Sequence, residues 1–178
     1  LNQAGALVHI YNDGSVRINH GGTEMGQGLF QKVAQVAAHI FGITINKVQI
    51  TATDTAKVPN TSATAASSGS DLNGMAVKEA CDTICDRIST YFIEKYRPNT
   101  NDIKFEDGRV RGSNFDISFE DAVQEIYTQR ISLSSTGFYK TPDLQWDRTI
   151  GKGRPFYYFA YGAAVSEVVV DTLTGEFK

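Results

Sequence analysis

The chain has 178 residues, 41% of them hydrophobic and 21% charged, with a formal net charge of −3 and a pI near 5.6. That balance belongs to a folded globular chain rather than a disordered one, and the scattered lysines and arginines form no basic face of the kind that grips nucleic acid. The longest apolar run, 156–165, is about half of what a spanning helix needs, so no membrane partner is expected. LNQAGALVHI lacks a signal-peptide pattern, so the cytoplasm is the default compartment.

Residues 6–11 and 15–20 are rich in β-formers and flank Asn12-Asp13-Gly14, which predicts a β-hairpin. GGTEMGQG follows at 21–28, with four glycines in eight residues. Leu29, Val33, Val36, Ala37, Ile40 and Phe41 then recur at helical spacing, and Gly42 can end the helix. KVQITAT, 47–53, alternates as a strand and opens onto DTAKVPNTSATAASSGSD, a second loop of small residues at 54–71. Ser70-Asp71 has N-cap chemistry for a long helix carrying Met75, Val77, Cys81, Ile84, Ile88 and Phe92 and stopping before Pro98. Within it, Cys81 and Cys85 read as buried small hydrophobes rather than ligands.

Residues 103–111 read as a small hairpin around Asp107-Gly108, and Ser118 heads a short third helix with Phe119, Ala122, Val123, Ile126 and Tyr127. Strands at 131–139 and 156–171, joined by a polar connection, complete the set. The fold class this predicts is α+β: a single domain over 1–178, two-layered, with helices packed on a mixed β-sheet in the order β-β-α-β-α-ββ-α-β-β. VSEVVVDTLTGEFK has the form of a strand, a turn and the start of a returning strand, so the chain reads as a piece of a longer polypeptide.

Each small-residue loop leads from a strand into a helix, and a helix N-terminus offers unpaired N–H groups and a positive dipole end suited to an anion. Two readings stand: the loops close on one extended anionic ligand, or they are tight turns that pack helices on a sheet. Neither GxxxxGK[ST] nor GxGxxG is present, and His9, His20, His39, Cys81 and Cys85 form no recognisable metal motif. His9 and His39 read as solvent-facing. His20 reads as a hydrogen-bonded strand-end histidine, with donation to an anion as the alternative. Glu24 reads as a loop-fixing acceptor, and Gln27 is the side chain best placed to reach a ligand.

Four segments, HGGTEMGQGL, TDTAKVPNTSATAASSGSDLNG, SLSSTGFYKTP and YGAAVSEVVVDTLTGE, resemble in order the molybdenum-binding subunit of xanthine dehydrogenases, nearest to the bacterial enzymes with separate large and small subunits. Aldehyde oxidases and other molybdenum hydroxylases are the near alternatives, and a non-catalytic subunit-contact module is the alternative of another class. The resemblance implies a molybdopterin cofactor carrying molybdenum, and oxidative hydroxylation of hypoxanthine and xanthine to urate. Electrons would leave through 2Fe-2S clusters and FAD, in a partner subunit or domains, to NAD.

By the same resemblance, Gln27 hydrogen-bonds an oxygen ligand on molybdenum, and Met25, Gly26 and Gly28 form the backbone cradle around it. Ala66, Ser67, Ser68 and Gly69 form the second cofactor loop, with the Ala66 backbone near the metal. The family's general base is a glutamate in a GEP motif; none of the eight glutamates here precedes proline, so the isolated piece is expected to be inactive. Val165 stands where the family often has cysteine, a buried apolar exchange of small effect.

Overall fold

β1 (Gln3–Ile10) and β2 (Val16–His20) pair antiparallel, with Val8 opposite Ile18 and Ile10 opposite Val16. The turn between them is pinned by Asp13, whose carboxylate accepts the Ser15 amide at 2.9 Å and the Ser15 hydroxyl at 2.6 Å. Alternation does the rest: Ala6, Val8, Ile10, Val16 and Ile18 all fall on one face and are buried. This computed structural model describes residues 2–58, 60–99, 102–159 and 161–178. Contacts divide the chain into two compact units, Leu1–Thr141 and Pro142–Lys178.

In the first unit, α1 (Leu29–Phe41) buries Leu29, Val33, Ala37 and Phe41. It ends as expected at Gly42: the Ile43 amide donates to the Ala38 carbonyl at 2.9 Å and the Gly42 amide to that of His39 at 3.2 Å. A 3-10 turn at Ile45–Lys47 then feeds β3 (Val48–Ile50), which lies parallel to β2 with Val48 opposite Val16 and Ile50 opposite Ile18. On the other side of β1, β7 (Ser134–Lys140) pairs antiparallel, giving a four-stranded mixed sheet in the order β3-β2-β1-β7.

One face of that sheet is covered by α2 (Gly69–Tyr96), which buries Val77, Cys81, Ile84, Ile88 and Phe92 at steps of three and four residues. Arg87 ties this helix to the start of β7 by donating to the Ser132 and Ser134 carbonyls at 3.2 and 2.8 Å. The helix-on-sheet architecture is therefore α+β, as the patterning implies. Burial pushes the thiols of Cys81 and Cys85 up, the latter to about 12, so neither is a thiolate at neutral pH.

A small antiparallel sheet follows: β4 (Lys104–Glu106), β5 (Arg109–Gly112) and β6 (Phe115–Ser118). α3 (Phe119–Thr128) begins at Ser118, whose Oγ accepts the Asp121 amide at 3.1 Å. Among the described residues, no helix is long and apolar enough to cross a membrane.

Four expectations are corrected. The element order gains β6, so the expected pair of short strands is a three-stranded sheet. The long helix starts at Gly69 with Ser68, not Ser70, at its N-cap. Met75 is 41% exposed, because the face of α2 against the sheet is marked by Leu72, Ala76 and Ala80 instead. The last expected strand, 156–171, includes Ala160 outside the described residues; its described residues form no continuous strand, and pairing is confined to a bridge at Val170.

In the second unit, β8 (Gln145–Asp147) and β9 (Lys152–Arg154) instead form a hairpin within the stretch read as a polar connection. The expected final turn does form. Asp171 accepts the Leu173 amide at 2.8 Å, Gly175 donates to the Asp171 carbonyl at 2.8 Å, and Val170 bridges Phe177.

Candidate functional site

Both small-residue loops leave the C-terminal ends of neighbouring parallel strands, where α/β folds place ligand crevices. They run side by side from their roots. The Thr51 amide donates to the Ile18 carbonyl at 3.0 Å, and the Thr53 hydroxyl donates to the carbonyls of His20 and Gly22 at 3.3 and 3.0 Å. Farther out, the Thr23 amide donates to Thr64 Oγ1 at 2.8 Å. Contact is close enough to demand glycine: a Cβ on Gly21 would lie 2.2 Å from Thr61 Cγ2, and one on Gly22 would lie 2.7 Å from Asn73 Nδ2.

The first loop is organised around Glu24. Its Oε1 accepts the amides of Gly26 and Gly28 at 2.8 and 3.1 Å, and its Oε2 accepts that of Phe30 at 2.9 Å. Gly26 and Gly28 turn toward it with φ of 96° and 75°, conformations that other residues resist. Gln27 closes the loop, its Oε1 accepting the Met25 amide at 2.6 Å and its Nε2 donating to the Thr23 carbonyl at 2.8 Å. The expectation that α1 offers these amides to an anion is thus corrected: an internal carboxylate already occupies that end of the helix dipole. One Gln27 amide proton stays uncommitted to Thr23, because the group carries two.

The Phe30 amide, followed by those of Gly26 and Gly28, holds the Glu24 carboxyl below its ordinary 4.5. A depressed folded pKa means that this stabilisation is complete above the ordinary range and lost as pH falls through the lower folded value. Amide exchange protection of residues 26–30, corrected for intrinsic rate, should stay level from neutral pH past 4.5 and decline below it. In Glu24→Gln the same amides should exchange about tenfold faster throughout, with no such decline. Unchanged protection in that variant would assign the loop's order to something other than the carboxylate.

The opposite wall comes from the second loop. Ala66 and Ser67 are consecutive left-handed residues, φ 52° and 59°, each costing about 1–2 kcal/mol against ordinary backbone. Ser68 is buried, and its hydroxyl donates to the Ala65 carbonyl at 2.9 Å rather than capping α2. Between the loops lies a cavity of about 350 Å³, walled by Met25, Gln27 and Lys32 on one side and by Ala66, Ser67 and Gly69 on the other. Of the remaining candidate residues, Gly26 and Gly28 direct their amides to Glu24, and Ser68 supports the loop from below.

Lys32 and Thr64, also on the cavity wall, escaped the sequence reading. The signal for Lys32 was its place one turn into α1, directly beyond the glycine loop. His20 ends β2 on the same face as Val16 and Ile18, so it is buried, edge-on to Phe30 at 5.2 Å. Its Nδ1 accepts the Gly22 amide at 3.0 Å, which leaves the proton on Nε2, and burial drives its pKa down to about 4, partly opposed by Asn73.

The whole chain, residues 1–178, matches a family described as a molybdopterin cofactor-binding domain. It is 49% identical over 178 residues to a xanthine dehydrogenase/oxidase of Gallus gallus and 50% identical over 177 residues to a xanthine dehydrogenase of Oryza sativa subsp. japonica. The matches take in 100% and 99% of this chain but 12% of each relative, so the chain spans about an eighth of the proteins it resembles. Among solved structures, quinoline 2-oxidoreductase from Pseudomonas putida 86 superposes with a TM-score of 0.72 at 23% identity, covering 80% of this chain and 19% of that one. A Cu,Mo-CO dehydrogenase superposes with a TM-score of 0.70 at 20% identity over 78% of this chain and 18% of that one; at such identity these likenesses speak for the fold.

Proposed function

The chain belongs to the molybdopterin cofactor-binding domain family, and from that premise we propose that it supplies part of the cofactor site of a xanthine dehydrogenase, as one portion of a longer catalytic subunit. The observation that carries the reading is the cavity between the two loops, whose wall includes Met25, Gln27, Ala66, Ser67 and Gly69, residues proposed to hold the cofactor. Its volume of about 350 Å³ is within the roughly 300–1,000 Å³ of small-molecule sites.

The residues present fit such a group. A pterin with a phosphate needs donors, a positive end and little side-chain bulk; the wall offers the Lys32 ammonium, the Gln27 amide, the N-terminus of a 28-residue helix, and the small residues Ala66, Ser67 and Gly69. The strained Ala66-Ser67 backbone supports the same reading, since such strain persists where a site needs its backbone aimed outward. When bound, the cofactor supplies the redox-active metal for oxidative hydroxylation of a purine, with electrons passed on to iron–sulfur, FAD and NAD partners.

This chain's own part is to bind and orient. Glu24 and Gln27 set the first loop, Gln27 would offer its remaining amide proton to the cofactor, and Ala66, Ser67 and Gly69 would line the other side. The proton acceptor for the reaction lies elsewhere in the enzyme, since none of the eight glutamates has the family's GEP context. In the intact enzyme, Gln27→Ala should lower kcat for xanthine by about 100-fold, while molybdenum content falls much less. Unaltered turnover would remove Gln27 from the site.

A further inference from the structure

We propose that His20 and Asn73 form a positioning strap that fixes the spacing of the two loops, with His20 Nε2–H donating to Asn73 Oδ1. The inference rests on the cofactor-site reading above. Two buried polar atoms, one at the end of β2 and one in the first turns of α2, lack a partner of ordinary geometry: His20 Nε2 and Asn73 Oδ1. Their residues are 1% and 3% exposed, so water does not readily satisfy them.

The two atoms are complementary. His20 Nδ1 accepts the Gly22 amide at 3.0 Å, which makes Nε2 the donor. Asn73 Nδ2 donates to the Gly69 carbonyl at 2.8 Å, which makes Oδ1 the free acceptor. Closing that one gap completes a continuous chain from Gly22 in the first loop, through His20 and Asn73, to Gly69 at the start of α2. Phe30, edge-on at 5.2 Å, keeps the imidazole from swinging away. The low pKa of about 4 agrees with a ring that is neutral, and therefore still an acceptor at Nδ1, across the physiological range.

In the enzyme the strap touches no reacting atom. It sets the distance between Gln27 and Ser67, as outer hydrogen bonds do for ligands of a metal. The test compares His20→Phe, His20→Gln and Asn73→Leu in the intact enzyme, with molybdenum per subunit and thermal unfolding both measured. Phenylalanine keeps the ring and its packing on Phe30; glutamine keeps a donor at the Nε2 position. A strap predicts that His20→Phe and Asn73→Leu lose molybdenum about tenfold and that His20→Gln retains most of it. If phenylalanine holds molybdenum as well as glutamine does, the ring serves only packing and the proposal fails.

Asn73→Leu attacks the strap from the helix side, so a misfolded His20→Phe does not shield the idea. Ser67→Tyr, run alongside, separates the two levels of inference. If it empties the site while Asn73→Leu and His20→Phe stay loaded, the strap alone is wrong. If Ser67→Tyr stays fully loaded, the cofactor-site reading falls and the strap with it.

Discussion

Ser67→Tyr in the intact enzyme is expected to reduce molybdenum per subunit by roughly tenfold or more. Ser67 lies on the wall of a cavity of about 350 Å³, and a phenol ring there takes up space that the cofactor needs. The backbone adds a second obstacle, because φ of 59° suits a bulky side chain poorly. Ser67→Gly separates bulk from strain: it accepts the same φ without a side chain and should retain molybdenum. Full occupancy in the tyrosine variant would show that the cofactor does not pass between these loops.

Gly137→Ala is expected to have the largest effect on the fold. Gly137 lies on β7 beneath α2, and a methyl group there would approach the Ala76 carbonyl oxygen to 2.0 Å and the Ala80 nitrogen to 2.7 Å. Both are backbone atoms, so no side chain can rotate out of the way and the helix itself must lift. Overpacking of this kind costs about 1–3 kcal/mol or more. For a domain of this size that lowers Tm by about 2–4 °C per kcal/mol, and Gly137→Val should do worse. The half-exposed neighbour provides the control, since Phe138→Ala should barely move the transition. An unshifted Tm in Gly137→Ala would mean that helix and sheet stand farther apart than described.

Much of this was legible beforehand, for identifiable reasons. α1 and α3 announce themselves through periodic apolar residues and their caps, Gly42 and Ser118, and the Asp107-Gly108 turn places β4 and β5. Met75 fits the apolar periodicity yet stays exposed, because α2 meets the sheet through Ala76 and Ala80, and large apolar residues are a poor marker of a close-packed face. Residues 156–171 carry the pattern of a strand, yet a strand also needs a neighbour to pair with, and among the described residues of that range pairing occurs at Val170, across the final turn. At the site, residue types pointed to the two loops. That Glu24 would consume the amides of Gly26, Gly28 and Phe30 depended on a loop conformation that only the folded backbone reveals. The burial of His20 was readable from parity with Val16 and Ile18, whereas Asn73 becomes its neighbour only through tertiary packing.

The parallel pairing of β2 with β3 has a mechanical consequence. Adjacent strands are held about 4.8 Å apart by their ladder, so the two walls of the cavity share a hinge-free footing however their tips fluctuate. Lengthening either tip would cost closure entropy that grows only with the logarithm of its length, about 0.6 kcal/mol per doubling. The footing would not feel the change. A lineage can therefore rewrite what the crevice accepts by editing tips, while the strands beneath keep the loop roots in register.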